Sequence, residues 1–374
     1  MTDKMQGKKK KIAEMLKLSN LSALLMYMRQ KWTLFRQFLM TTDWKKARKR
    51  FFARIKKINI KKTRTYKTSK KFIKKLSDSW KMLLICVPTF LFCYYFLGSR
   101  IAENIDVTTE YQLRQQNIPM LETATGMAFL LRREVDDKMW TPNLPPVFPA
   151  YVLDNMPNFQ TGIVHAVRDI VAVLVHFTQN TELQKQEIKQ ADKLLNYPAT
   201  IWLMHKKDGF KLAPSSNSQY RKAAAQLEKF GKDGVYYPEP ADLAALLQKI
   251  GKSLQKLATK NENFQNEHAS DLTDTKSDDL FYYNRGYAFA MWQITKVMGK
   301  DYRKTILEYD VYTEWTYLVN SLKKAAELKP VIVRNGQTKD LFTPNHLLEQ
   351  NYYMLRALTA IERIRAELKR EQCK

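Results

Sequence analysis

The run Met82–Gly98, MLLICVPTFLFCYYFLG, divides a 374-residue chain into two chemically different parts. It holds no charged side chain and is bracketed by Lys81 and Arg100. At ~1.5 Å of rise per residue it makes a helix of roughly 26 Å, close to the ~30 Å of a hydrocarbon layer. The reading is a single membrane-spanning helix. Trp80, Tyr94 and Tyr95 suit the interfacial zones, and Pro88 at mid-span is tolerated in lipid, with a kink expected there.

Upstream of this run the chain is strongly basic. Residues 1–81 hold 26 Lys and Arg against four acids, so +22 of the formal +26 lies there. The remainder is nearly neutral, and polyanion binding is an argument only about the tail. Lys62–Lys81 carries eight bases, whereas Ser99–Ile118 carries only Arg100 and Arg114. Positive flanks stay in the cytoplasm, which puts the N-terminus inside and the large C-terminal part outside. An n-region of 80 residues and the lack of an Ala-x-Ala site argue against a cleaved signal peptide, so the span reads as a signal anchor.

The expected organisation is a basic cytoplasmic tail over 1–80, a transmembrane helix over 81–98, and a periplasmic all-α domain over 99–374. A subdivision of that domain near 262–277 is allowed for. Within the tail, Leu18, Leu21, Leu25, Met28, Trp32, Phe35 and Leu39 alternate at spacings of three and four, which predicts one amphipathic helix over Lys11–Met40. A basic amphipathic segment held beside a bilayer favours the anionic inner leaflet as its partner over a partner helix or nucleic acid. The three cysteines are Cys86 and Cys93 inside the span and Cys373 at the end. The exported part therefore has neither a disulfide scaffold nor a Cys-based zinc site.

Beyond the span, apolar periodicity predicts helices over 103–116, 119–138, 159–178, 181–196, 216–231, 240–262, 278–299, 301–328 and 344–370. Pro240 and Pro344 fall at first helical positions. Pro330–Arg334 (PVIVR) is the one strand candidate, and Asn261–Lys276 reads as a polar loop. Leu347, Met354, Leu358, Ile361 and Leu368 form a near-heptad seam suited to bundle packing or to a partner helix.

Signatures of common chemistry are missing. The chain has no His-Glu-x-x-His, no Gly-x-Ser-x-Gly, no Walker loop and no Gly-x-Gly-x-x-Gly, and its 11 glycines leave little for a phosphate cradle. No cofactor is expected. His165, Asp169 and His176 share a helical stripe, but His165 and His176 lie ~16 Å apart along the axis, so no metal site is expected and the stripe reads as an exposed polar face. Arg285 is a sharper case, because the helix around it is apolar on all sides. A buried arginine needs a carboxylate or carbonyl partner, for which Asp169 and Asp154 are candidates. Gly286 beside it weakens the helix and implies a second backbone packed close. Leu153–Phe159 (LDNMPNF) places Asp154, Asn155 and Asn158 around Pro157 directly before a helix, with Asn158 as its natural cap, so capping and turn formation account for the run.

Leu153–Asp169 (LDNMPNFQTGIVHAVRD), Pro214–Tyr220, Asp278–Ala290 (DDLFYYNRGYAFA) and Asn345–Leu358, in this order after one span, resemble the bacterial family "domain of unknown function 2333". The resemblance covers roughly 81–370 and implies Gram-negative inner-membrane proteins with an exported helical domain. It implies no activity. Asp154, Asn155, Arg168, Asp169, Arg285 and Gly286 fall within the matching runs and become the candidate functional or buried polar residues. The basic extension 1–75 departs from the family pattern. The function expected is an envelope interaction or scaffold module, whose partner is an envelope protein or a second copy. The alternative is a periplasmic enzyme or small-ligand binder centred on Arg285 and the Asp154–Asp169 region.

Overall fold

A computed structural model describes residues 85–112, 121–177, 181–205, 211–232, 238–268, 276–336 and 344–372. The basic tail, with the helix expected over Lys11–Met40, the start of the apolar run and Cys373 lie outside them. Helix α1, Ile85–Ala102, is the one helix among the described residues long and apolar enough to cross a membrane. It outlasts the apolar run by four residues, so Arg100 sits on its last turn, 3.6 Å from Glu103. Ile85, Phe90, Phe92 and Phe96 are exposed, as a lipid-facing helix requires.

The helix expected over 103–116 is not formed in its described part: residues 103–112 carry no regular secondary structure. The Asp106 carboxylate explains this, accepting hydrogen bonds from the backbone and hydroxyl of Thr108 at 2.7 and 2.6 Å and from the Thr109 backbone at 3.3 Å. These local bonds compete with helical ones. This irregular strut is tied down where the Tyr111 amide reaches Gln293 Oε1 at 3.2 Å.

Next come α2 (Glu122–Arg132), continued by one π-helical turn (Arg133–Asp137), a short 3-10 turn (Pro149–Val152), α3 (Asn155–Leu174) and α4 (Glu182–Leu195). Two-residue strands β1 (Met204–His205) and β2 (Lys211–Leu212) pair antiparallel, a hairpin the residue pattern does not announce. Then follow α5 (Ser216–Lys232), α6 (Pro240–His268), α7 (Lys276–Asp301), α8 (Arg303–Glu308), α9 (Tyr312–Glu327) and α10 (His346–Gln372). The class is all-α.

Three local expectations need correction. Pro330–Arg334 makes no strand: Val331 and Ile332 face solvent, and only an isolated bridge, Asn335 to Asn345, follows. The helix expected over 301–328 breaks at Asp310, whose φ of 50° turns the chain between α8 and α9. The polar loop expected from Asn261 is helical to His268, because Asn261 is fully buried and accepts from Asn284 Nδ2 at 2.7 Å.

Helix α7 is the axis of the domain. It is buried on all faces, with α3, α9 and α2 packed around it, while α4 and α5 extend one side and α6 and α10 the other. Ile85–Lys374 forms one compact unit. At the α3–α7 crossing a Cβ on Gly286 would overlap the Phe159 carbonyl, and one on Gly162 would overlap the Tyr283 carbonyl. Two glycines therefore bring these backbones into direct contact.

Candidate functional site

The residues singled out from sequence separate into places that do not converge. The cap of α3 is Asp154 and not Asn158, which lies inside the helix: Asp154 is exposed and accepts the Asn155 amide at 2.8 Å. Asn155 keeps its side-chain oxygen buried without a hydrogen bond. Asn158 crosses to α7, donating to Asp279 at 2.7 Å. Arg285 is buried, but its partner is neither Asp169 nor Asp154: Nε donates to the Ala326 carbonyl at 2.9 Å, and the guanidinium lies 5.8 Å from the Tyr282 ring centre. Burial pulls its pKa below the ordinary arginine value. Geometry explains the mismatch, because Asp169 meets Tyr287, and two residues along a helix is ~200° of rotation from Arg285.

Asp169 organises a polar cluster where α3, α6 and α7 meet. Its Oδ2 accepts from Ser253 Oγ at 2.7 Å and Tyr287 Oη at 3.0 Å, and Lys249 Nζ lies 3.1 Å from Oδ1. One turn earlier, His165 Nδ1 pairs with Tyr283 Oη at 2.7 Å. The expected exposed stripe is thus half covered by neighbouring helices. Only His176 is exposed, and the reason is that α6 and α7 flank this face. Burial first, then the nearby Arg168 charge, holds His165 down at about 4, so it is neutral near pH 7. Burial pushes the Tyr283 hydroxyl up to about 12. Arg168 itself is half-buried beside them.

A second cluster went unread in the sequence. At the π-helical turn, Arg133, Glu134 and Lys138 are all removed from solvent. Arg133 Nη1 lies 3.5 Å and Lys138 Nζ 3.6 Å from the same Glu134 oxygen, contacts too long to be hydrogen bonds. Arg133 also donates to the Asp106 carbonyl and stacks 4.5 Å from the centre of the Phe289 ring. Gln160 closes the cluster, donating to Glu134 Oε2 at 3.1 Å and accepting from the Thr141 amide and hydroxyl at 2.9 and 2.8 Å. Burial pulls the Lys138 pKa down, with Glu134 opposing it. Burial pushes Asp106 up, but its threonine hydrogen bonds and Arg133 together hold it well below the usual carboxylate range. The one signal in sequence was the run Arg132–Arg133–Glu134 on a helix whose other faces are apolar, where one of three successive charges must turn inward.

The last helix presents a third arrangement. Of the seam residues, Leu347, Met354, Ile361 and Leu368 are fully buried in this chain's own bundle and Leu358 is half-buried. The other side of α10 carries Leu348, Tyr352 and Leu355 in a solvent-facing stripe, with Tyr352 56 % exposed. Arg356 lies 4.5 Å from the Tyr317 ring centre and 5.5 Å from that of Tyr352, and its Nε donates to Tyr317 Oη at 2.5 Å. Two tyrosines and an arginine so held form a preorganised aromatic surface.

Among the described residues no group of three or more His, Cys, Asp or Glu could hold a metal ion. Residues 144–260 and 240–371 match the family model described as "Uncharacterized protein conserved in bacteria (DUF2333)". The match begins at 144, so α1, the strut and the π-helical turn precede it. No curated protein and no solved structure matches the chain.

Proposed function

The chain belongs to the DUF2333 family of uncharacterised bacterial proteins, and from that premise we propose that it is a membrane-anchored interaction module of the cell envelope. In this reading α1 is the anchor, the basic tail lies against the anionic inner leaflet, and the helical domain stands on the periplasmic side. The charge asymmetry across residues 81–98 supports the orientation. Each Lys or Arg near an anionic surface contributes about 1 kcal/mol, which suits the tail to that role.

The observation that carries the proposal is the Tyr317–Arg356–Tyr352 surface. Tyrosine and arginine are enriched at the energetic centres of protein interfaces, and rings already locked by a neighbouring guanidinium lose little freedom on binding. The partner is an envelope protein or a second copy of this chain. A photoreactive residue placed at Tyr352 or Leu355 in cells should give a discrete protein adduct, weakened at least tenfold by Arg356→Glu. The same probe at Leu307, exposed on α8, should not give it. Equal, diffuse labelling at all three positions would remove the proposal.

A further inference from the structure

The end of α1 is stitched to one loop of the domain. Tyr94 Oη donates to the Val147 carbonyl at 2.9 Å and Tyr95 Oη to the Pro146 carbonyl at 2.5 Å, while Gly98 lies directly against Pro149. This loop is therefore held beside the last turn and a half of the apolar run. Its composition suits that depth. Met139–Leu153 (MWTPNLPPVFPAYVL) has no charged residue, and Val147, Tyr151 and Val152 are all more than half exposed.

The loop backbone is equally adapted. Pro145, Pro146 and Pro149 have no amide to satisfy. The carbonyls of Pro145, Phe148 and Ala150 accept the amides of Phe148, Tyr151 and Leu153 at 3.0, 3.0 and 3.2 Å, and those of Pro146 and Val147 are taken by the two tyrosines. With three prolines and five carbonyls paired, this backbone leaves water at a lower cost than an ordinary surface loop.

A second uncharged segment, Tyr197–Leu203 (YPATIWL), is fixed beside it. Asn143 Nδ2 donates to the Ile201 carbonyl at 2.9 Å, and the Phe148 and Trp202 rings meet edge to face at 6.2 Å. Trp202 and Leu203 are exposed, and so is Leu212, next to Ala213, whose amide reaches the Leu203 carbonyl at 3.0 Å.

We propose that this face is a membrane foot: Val147, Tyr151, Val152, Trp202, Leu203 and Leu212 seat in the headgroup and upper acyl zone of the bilayer that α1 crosses. The inference rests on α1 being a membrane span and adds a second, non-helical lipid contact to it. Exposed apolar side chains with tryptophan and tyrosine among them match the chemistry of the bilayer interface. Continuity with the anchor selects lipid over a protein as the occupant.

The test uses the full chain with Cys86→Ala, Cys93→Ala and Cys373→Ser, reconstituted in phosphatidylcholine–phosphatidylglycerol nanodiscs. Single labels are placed at Val147→Cys, Val152→Cys and Leu212→Cys. Phe92→Cys reports the span, and Leu307→Cys reports α8, beyond the C-terminal end of α7. Labels at 147, 152 and 212 should be quenched several-fold more by a headgroup-proximal nitroxide lipid than the label at 307, and several-fold less by aqueous iodide. If the label at 92 meets lipid while the foot labels are as open to iodide as that at 307, the foot is wrong and the span stands. If the label at 92 itself meets iodide, the span fails and the foot with it. Foot labels shielded from both quenchers would mean that protein covers this face, which overturns the lipid assignment.

Discussion

Gly286 on α7 lies so close to the Phe159 carbonyl on α3 that no side-chain atom fits between them. An ordinary helical glycine is a liability of about 1 kcal/mol relative to alanine. Here the carbonyl belongs to a packed helix and cannot move aside cheaply.

Gly286→Ala is accordingly expected to destabilise by about 2 kcal/mol or more, because overpacking at about 1–3 kcal/mol outweighs the gain in helix propensity. That corresponds to a fall of roughly 4–8 °C in Tm for a domain of this size. Gly251→Ala is the control. Its added Cβ would meet the Ile361 and Leu358 side chains at 3.4 Å, which is near ordinary contact. A melt in which both variants behave alike would contradict the crossing described.

At the π-helical turn, Glu134 lies between the Arg133 and Lys138 cations, and Asp106, 3.8 Å from Arg133, is the other carboxylate beside them. Glu134→Gln keeps a partner for Gln160 but leaves two buried cations facing each other, at an expected cost of about 3–5 kcal/mol. Adding Lys138→Met should recover part of that loss. Denaturant titration of the single and double variants gives the answer, and an unaffected single variant would show the cluster to be energetically idle.

Two buried groups pull stability in opposite directions over one pH window. Asp301 accepts from the Thr123 amide and hydroxyl at 2.8 and 2.6 Å and from the Glu122 amide at 3.1 Å, capping α2 from the far end of α7. Burial outweighs those bonds and raises its pKa from 3.8 to about 6. The folded state thus binds that proton more tightly, and stability falls as pH rises from about 4 through about 6. His165, lowered from 6.5 to about 4, does the reverse, and its contribution rises over the same range. Each amounts to about 3 kcal/mol, so they nearly cancel. Asp301→Asn should unmask stability that increases from pH 4 to 6.5, and His165→Gln stability that decreases. Matching slopes in the two variants would refute the pairing.

Orientation has its own check. An alkaline phosphatase moiety fused after Lys374 should be active, and alkaline carbonate should leave the protein with the membrane fraction. A fusion active only as a cytosolic reporter would reverse the assigned sides.

The all-α class, the apolar helix and the close approach at Gly286 were legible because each depends on composition or on neighbours three or four residues away. The fate of the Leu347–Leu368 seam was legible only as a pair of alternatives. What escaped depends on distant chain. Arg285 finds a carbonyl at Ala326, Arg133 finds Asp106 and Phe289, and Asn261 is drawn into helix by Asn284. The short β1–β2 hairpin is too brief to leave an alternating pattern, and the strut over 103–112 is set by one aspartate that looks helical in context.

The Tyr94 and Tyr95 hydroxyls also govern how far the domain can roam. A globule joined to its helix by a slack leash would sweep a wide hemisphere, but this one is buttoned to its own stalk. With α1 in a bilayer as proposed, whatever the domain meets would have to come within arm's length of the lipid surface.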